Sequence, residues 1–114
     1  MAQMKAVLIF DAVELAASGA STSEPVEISK ANALSIHHNE TAGTGTVTYT
    51  YSLSSSRDGV YITPGSPVTI GTDITADDVL DFAPEAAKFI KIIATESGGA
   101  QGVTFTATLM VQEL

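Results

Sequence analysis

Apolar and hydroxyl-bearing side chains alternate over the two longest regular segments of the chain. Residues 46–54 read TVTYTYSLS, and residues 103–112 read VTFTATLMVQ. A period of two places successive side chains on opposite faces of an extended chain, so each segment predicts a β-strand with one buried face. We expect the two apolar faces to pack against each other in a β-sandwich. These faces are Val47, Tyr49, Tyr51 and Leu53 on one strand and Val103, Phe105, Ala107 and Leu109 on the other.

Shorter apolar runs predict further strands, and turn-forming residues separate them. Gly, Pro, Ser and Asp are concentrated between the runs, which is typical of an all-β sandwich or barrel. Asp58-Gly59 predicts a hairpin tip, with Gly59 supplying a positive φ. The predicted strands are 4–10, 26–28, 33–38, 46–54, 60–63, 68–70, 88–95 and 103–112.

Two segments leave helical alternatives open. In residues 73–82, DITADDVLDF, Thr75 precedes Asp78 by three positions, a weak capping pattern that predicts one helical turn. Residues 84–95, PEAAKFIKIIAT, favour a helix at their start, but the β-branched side chains of 88–95 favour a strand. The sequence therefore predicts an antiparallel β-sandwich with at most one short helical turn, and a single domain over residues 1–114.

Composition and charge exclude several classes of function. The chain is 45% hydrophobic and only 16% charged, and its 13 acidic and 5 basic residues give a net charge of -8. That charge opposes binding to nucleic acid and to anionic membranes. The absence of cysteine excludes disulfides and thiol catalysis. The apolar run at 6–10 is too short for a signal peptide or a membrane span, so we expect a first strand there and use without export through this segment.

The histidine pair is the first candidate for site chemistry. His37 and His38 are adjacent, and neighbours in a strand point to opposite faces, so they are poorly placed to bind one metal ion. A zinc site would need Asp or Glu partners from elsewhere. We expect one imidazole near the rim of the core and the other in solvent.

Acidic and hydroxyl residues are the remaining candidates. The aspartates at 73, 77, 78 and 81 are interpreted as a solvated acidic loop, with a cation site as the alternative, although EF-hand spacing is absent. The serines at 52 and 54–56 lack the setting of a catalytic triad. SGGAQG, residues 97–102, is interpreted as a flexible hairpin because it lacks the lysine of a phosphate-binding loop. We therefore expect a non-enzymatic protein with no cofactor and no metal.

Residues 44–65, TGTVTYTYSLSSSRDGVYITPG, and 82–112, FAPEAAKFIKIIATESGGAQGVTFTATLMVQ, resemble small β-sandwich virion proteins of tailed bacteriophages. They also resemble discoidin-like jelly rolls, which implies a jelly-roll-like arrangement of the sandwich, but this chain is shorter and lacks their cysteines and tryptophan. The phage resemblance implies a structural protein of the virion, assembled in the host cytoplasm. It implies a capsid decoration or cement protein, or a tail-associated protein, that binds the major capsid or tail protein through many weak contacts.

The strand-rich surface also predicts self-association. The segments 4–10 and 103–114 hold more apolar chain than so small a core needs, so we expect them near a subunit contact in a homo-oligomer, with a trimer as one candidate. The loops 17–25 and 63–67 are expected to reach the neighbouring surface. The alternative is a carbohydrate-binding or adhesion sandwich. Aromatic side chains clustered on an exposed loop face would favour that alternative, whereas exposed aliphatic side chains would favour assembly.

Overall fold

A computed structural model describes residues 3–65 and 69–113 of the chain. Within these residues the chain forms nine β-strands and no helix, which confirms the predicted all-β class. The strands are β1 (Gln3–Leu15), β2 (Ala20–Thr22), β3 (Val26–Glu27), β4 (Ala31–Gly43), β5 (Val47–Ser54), β6 (Gly71–Ile74), β7 (Asp78–Phe82), β8 (Phe89–Glu96) and β9 (Val103–Glu113).

The strands form two antiparallel sheets that pack face to face. The first sheet has the order β1-β9-β4-β7, and the second has the order β2-β8-β5-β6, with β3 also paired to β8. β2 and β3 lie one after the other along β8, so they act as two parts of one strand. The pairs β1–β9, β2/β3–β8, β4–β7 and β5–β6 are nested, as in a long hairpin rolled into a sandwich. This confirms the predicted jelly-roll-like arrangement.

The core lies between the two long alternating strands, as predicted. On β9, Phe105 is completely buried, and on β5 Tyr49 is completely buried opposite it. The Phe105 ring centroid lies 5.4 Å from that of Phe10 and 6.2 Å from that of Tyr49. Leu53, at the end of β5, is only partly buried and packs against the core. Alternation of apolar side chains therefore identified the buried faces of both strands.

The helical alternative left open for residues 73–82 does not occur, because this segment forms β6 and β7. Leu80 and Phe82 pack against the core from β7. β7 pairs with β4, from Leu34↔Phe82 to His38↔Asp78. A single helical turn gains few hydrogen bonds for the residues it fixes, whereas the edge of β4 offers a ladder of backbone partners.

The segment between β5 and β6 also differs from the prediction. In the predicted strand 60–63, only Ile62 pairs, through an isolated bridge to Leu53. In the predicted strand 68–70, Val68 lies outside the described residues, and the remaining two positions are not in a strand. Gly59 lies in the predicted tip, but its φ is outside the left-handed region. A Cβ at Gly59 would lie too close to the Ser56 hydroxyl oxygen, which would have to rotate away.

Candidate assembly surface

At the end away from Glu96, the outer face of the first sheet carries three rows of side chains across its strands. Strand register places Leu8 opposite Thr108, and Val79 opposite His37. Asp81 is the only formal charge among the described residues of these rows. We call these side chains the outer apolar face. Its rows are Leu8–Thr108–His37–Val79, Ala6–Met110–Ser35–Asp81 and Met4–Gln112–Ala33.

Large aliphatic side chains on this face are open to solvent. Met4 is 62% exposed, Leu8 56% and Val79 55%. The outer face of the second sheet has a different character, because hydroxyls such as Thr48 and Thr50 line it. Met4, Ala6 and Leu8 adjoin one another and Met110, whereas Thr108 and His37 separate Val79 from them. An exposed aliphatic patch on an acidic protein is typical of a contact with another protein.

The aromatic side chains are placed differently from those of a sugar-binding platform. All four Phe and three Tyr residues are buried or half-buried. The most accessible of the tyrosines, Tyr61, lies beneath the Lys91 ammonium, which is 4.4 Å from its ring centroid. The exposed large apolar side chains are instead aliphatic: Met4, Leu8, Val60, Ile62 and Val79. By the criterion set out from the sequence, this distribution favours assembly over carbohydrate binding.

Glu96, at the end of β8, connects three loops at one end of the sandwich. Its side chain is buried, and its carboxylate accepts four backbone N–H groups at 2.8–3.0 Å. The donors come from the β1–β2 loop (Ser18), the β4–β5 loop (Thr46) and the β8–β9 loop (Gly98 and Gly99). The segment 97–102, interpreted from the sequence as a flexible hairpin, is therefore anchored at its start.

These hydrogen bonds keep Glu96 ionised. Backbone N–H donors, Ser18 first, lower the pKa of Glu96 from 4.5 to about 2, although burial acts in the opposite direction. Sequence reasoning missed this residue, because its donors at positions 18 and 46 lie far from it along the chain. The available signal is local: a glutamate followed by Ser-Gly-Gly, whose glycine N–H groups can turn back to a carboxylate.

The histidine pair separates as the strand pattern predicted. His37 is exposed on the outer apolar face, and His38 is buried in the core. His38 Nδ1 is 2.6 Å from the Tyr49 hydroxyl, and its Nε2 is 3.4 Å from a Glu40 carboxylate oxygen. Burial, and secondarily the Glu40 charge, raises the pKa of Tyr49. This buried polar network, which sequence reasoning missed, ties β4 to β5 across the sandwich.

The predicted acidic loop is divided between β6, β7 and the segment that joins them. Asp73 accepts a hydrogen bond from the Ser97 hydroxyl at 2.6 Å, whereas Asp77 accepts the Glu40 backbone N–H at 3.0 Å. Asp81 lies on the outer apolar face. In the described part of the chain, no three His, Asp or Glu residues are grouped so that they could hold a metal ion.

Neither the hydroxyls nor the cleft beside Tyr51 supplies a catalytic arrangement among the described residues. The Ser54 hydroxyl donates to the Ser56 carbonyl at 2.8 Å, and neither histidine hydrogen-bonds to a serine. A cleft of about 720 Å³ opens at the end opposite Glu96, between the β3–β4 and β7–β8 loops. At this end the Tyr51 hydroxyl donates to Glu85 at 2.7 Å. In residues 3–65 and 69–113 there is no helix that is long and apolar enough to cross a membrane.

Comparison with known proteins shows the fold. No protein-family model and no curated protein matches the chain. The SPBc2 prophage-derived protein YomS is similar in structure, with a TM-score of 0.62 and 14% identity over 99% of this chain and 96% of that one. The VP2 subviral particle of infectious bursal disease virus has a TM-score of 0.59 and 16% identity. That alignment covers 98% of this chain but only 33% of the VP2 chain.

Proposed function

We propose that the protein is a non-enzymatic structural component of a phage particle and that it binds the particle through its outer apolar face. It acts as a capsid decoration or cement protein, or as a tail-associated protein. The observation that carries this proposal is the exposure of Met4, Leu8 and Val79 on rows with a single formal charge. The similar folds of a prophage-derived protein and a viral capsid protein support it.

Charge explains why binding would use this face. A net charge of -8 makes most of the exterior repel other acidic surfaces, and repulsion is weakest where charges are fewest. Burial of apolar surface contributes about 25 cal/mol per Å², so each copy makes a modest contact. Many copies on a repeated lattice multiply such contacts through multivalency. Because the contact is mainly apolar, we expect added salt to change binding only modestly.

The proposal also specifies where the protein acts and what it binds. The chain acts as one domain in the virion, after assembly in the host cytoplasm, with other copies of itself and the major capsid or tail protein as partners. Nucleic acid and membranes are not partners, as expected for a chain of this charge. The loop 17–25 contains β2, so only its flanks are free to adapt to a neighbour. The loop 63–67 lies partly outside the described residues.

Sedimentation with particles that lack the protein tests the proposal. We would compare the wild type with Met110→Asp, at the centre of the outer apolar face, and with Thr50→Asp, on the outer face of the second sheet. Both positions are half-buried on central strands, so the two variants carry the same charge change in similar settings. Circular dichroism would verify that both are folded.

The proposal predicts that the wild type and Thr50→Asp sediment with capsids or with tails, and that Met110→Asp remains in the supernatant. A wild-type protein that binds neither particle would contradict the function and would favour the carbohydrate-binding alternative. Equal binding by Met110→Asp would contradict the assignment of the face.

A further inference from the structure

Three of the four sheet edges are protected against pairing with another strand. β2 and β3 are interrupted before Pro25, which has no N–H to donate. β6 has only four residues, and Asp73 within it has a φ of 51°, which distorts the edge. β7 has five residues and carries Asp78 and Asp81. Short strands, irregular backbone and charges are the usual means of preventing edge-to-edge association.

The fourth edge, β1, is the least protected over Gln3–Leu8, where it carries one charge, Lys5, and no proline, bulge or break. This segment pairs regularly with β9 on one side, and the first register shift comes only between Leu8 and Phe10. In the described chain, no strand pairs with its other side. The Lys5 ammonium points away from the outer face, 3.7 Å from a Glu113 carboxylate oxygen and 3.4 Å from the Glu27 carbonyl oxygen. Its charge is therefore already partnered within the subunit.

We propose that this edge pairs with the same edge of a second copy, antiparallel, across a two-fold axis that passes beside Ala6. The inference rests on the proposed function, because it specifies the self-association through which copies assemble. The two four-stranded first sheets would then join into one continuous sheet. A two-fold contact requires a self-complementary patch, and exposed Met4, Ala6 and Leu8 provide one, with the smallest side chain in the middle.

The register follows from charge and overlap. A two-fold axis perpendicular to the sheet keeps the outer faces of both copies on the same side. Directly opposed residues of antiparallel strands also point to the same side of the sheet. The axis must therefore pass beside a residue, and not between two residues. An axis at Lys5 would place Lys5 opposite its own copy, and directly opposed like charges are destabilising. An axis at Val7 would leave a shorter regular overlap, because the bulge follows Leu8. The axis at Ala6 pairs Met4 with Leu8 of the second copy and Lys5 with an apolar Val7.

This arrangement also explains the aliphatic side chains on an edge strand. The Met4 and Leu8 side chains of both copies would form an aliphatic stripe where the two outer apolar faces meet. The dimer would present both faces on the same side of the joined sheet. Each dimer would then bind a particle through two linked contacts, which raises its avidity although each single contact is unchanged.

Sedimentation velocity of the wild type, Ala6→Lys and Ser35→Lys tests the inference. Ala6 and Ser35 lie in the same row of the outer apolar face, but Ser35 is on β4, away from the edge. We expect the wild type and Ser35→Lys to sediment as dimers and Ala6→Lys to sediment at half that mass. Dimeric Ala6→Lys, or a wild-type monomer or trimer, would overturn the inference.

Cysteine cross-linking provides a second readout, because the natural chain has no cysteine. A short bis-maleimide should cross-link Ala6→Cys into a dimer, since directly opposed residues in antiparallel strands have Cβ atoms about 4.5–5.5 Å apart, which is wider than a disulfide favours but within reach of such a linker. Val79→Cys, on the opposite edge of the same sheet, should not be cross-linked. Equal cross-linking of both variants would overturn the inference. A wild-type monomer that still binds particles would contradict the dimer alone, and a dimer that binds no particle would contradict the proposed function alone.

Discussion

The two ends of the sandwich are held differently. At one end, three loops donate backbone N–H groups to the Glu96 carboxylate. At the other end, the Tyr51 hydroxyl donates to Glu85 beside an open cleft. The first end is fixed by an ionised group with four backbone partners. At the second end the β5–β6 connection is held by contacts of its own, among them two main-chain hydrogen bonds between Leu53 and Ile62. The difference indicates that one carboxylate anchors three loops together at the Glu96 end, whereas the loops at the opposite end are held through separate contacts.

Phe105→Ala gives the largest expected loss of stability, with which variants at both ends can be compared. Phe105 lies in the core between the two ends and is completely buried. We expect a loss of about 3–5 kcal/mol in the free energy of unfolding, since the surrounding rings cannot fill the space left. Chemical denaturation measures it. An unchanged midpoint would mean that the ring does not contribute to the core.

Glu96→Gln tests the anchored end. The neutral amide keeps one acceptor oxygen but directs an NH₂ group at backbone donors, so buried N–H groups lose their partner. We expect a clear fall in Tm and faster amide exchange at Ser18, Thr46 and Gly98. The matched variant Glu85→Gln, at the opposite end, should change Tm much less. Equal effects of the two variants would remove the distinction between the ends.

Acid should weaken the anchored end first. Because the pKa of Glu96 is lowered from 4.5 to about 2 in the folded protein, its contribution to stability is complete above about pH 4.5. The contribution is lost as the pH falls toward 2. Thermal melts between pH 5 and pH 2 should therefore show a steeper decline for the wild type than for Glu96→Gln. Parallel declines would show that other carboxyl groups dominate the acid response.

Tyr51→Phe tests the opposite end. Burial, together with the hydrogen bond to Glu85, raises the pKa of Tyr51 to about 12, so the phenol remains a donor across the neutral range. Its removal should cost about 1 kcal/mol, the net value of an ordinary hydrogen bond. Denaturation of Tyr51→Phe beside Glu85→Gln measures the loss. A loss as large as that of Phe105→Ala would mean that this end is anchored as firmly as the other.

Chelator should affect neither end. The Glu96 carboxylate is satisfied by backbone N–H groups, and the aspartates at 73, 77, 78 and 81 are divided between β6, β7 and the segment that joins them. Thermal melts with and without EDTA should therefore coincide. A large fall in Tm on adding EDTA would point to a cation site that involves one of these aspartates.

The sequence predicted the centre of the fold better than its edges. Alternation on β5 and β9 identified the buried faces, because a period of two leaves each strand only one way to bury its apolar side. The short edge strands β6 and β7 were missed, since their aspartate-rich sequence has little strand propensity and pairing with long neighbours decides their conformation. The outer apolar face was anticipated in part, through the predicted contact at residues 4–10. The role of Glu96 was missed, because its hydrogen-bond donors at Ser18 and Thr46 come close to it only in the complete fold.

The nesting of the strand pairs has a kinetic consequence. β9 lies between β1 and β4, and its pairing with β1 joins Gln3 to Glu113. The first sheet therefore cannot form on the ribosome until β9 has been synthesised, and closing so long a loop slows the search for the native register. We expect refolding on a timescale of about milliseconds to seconds, measurable by stopped-flow fluorescence of the core tyrosines. Until that last strand arrives, β1 has no partner in its own chain, and newly made copies are most exposed to pairing with the wrong neighbour.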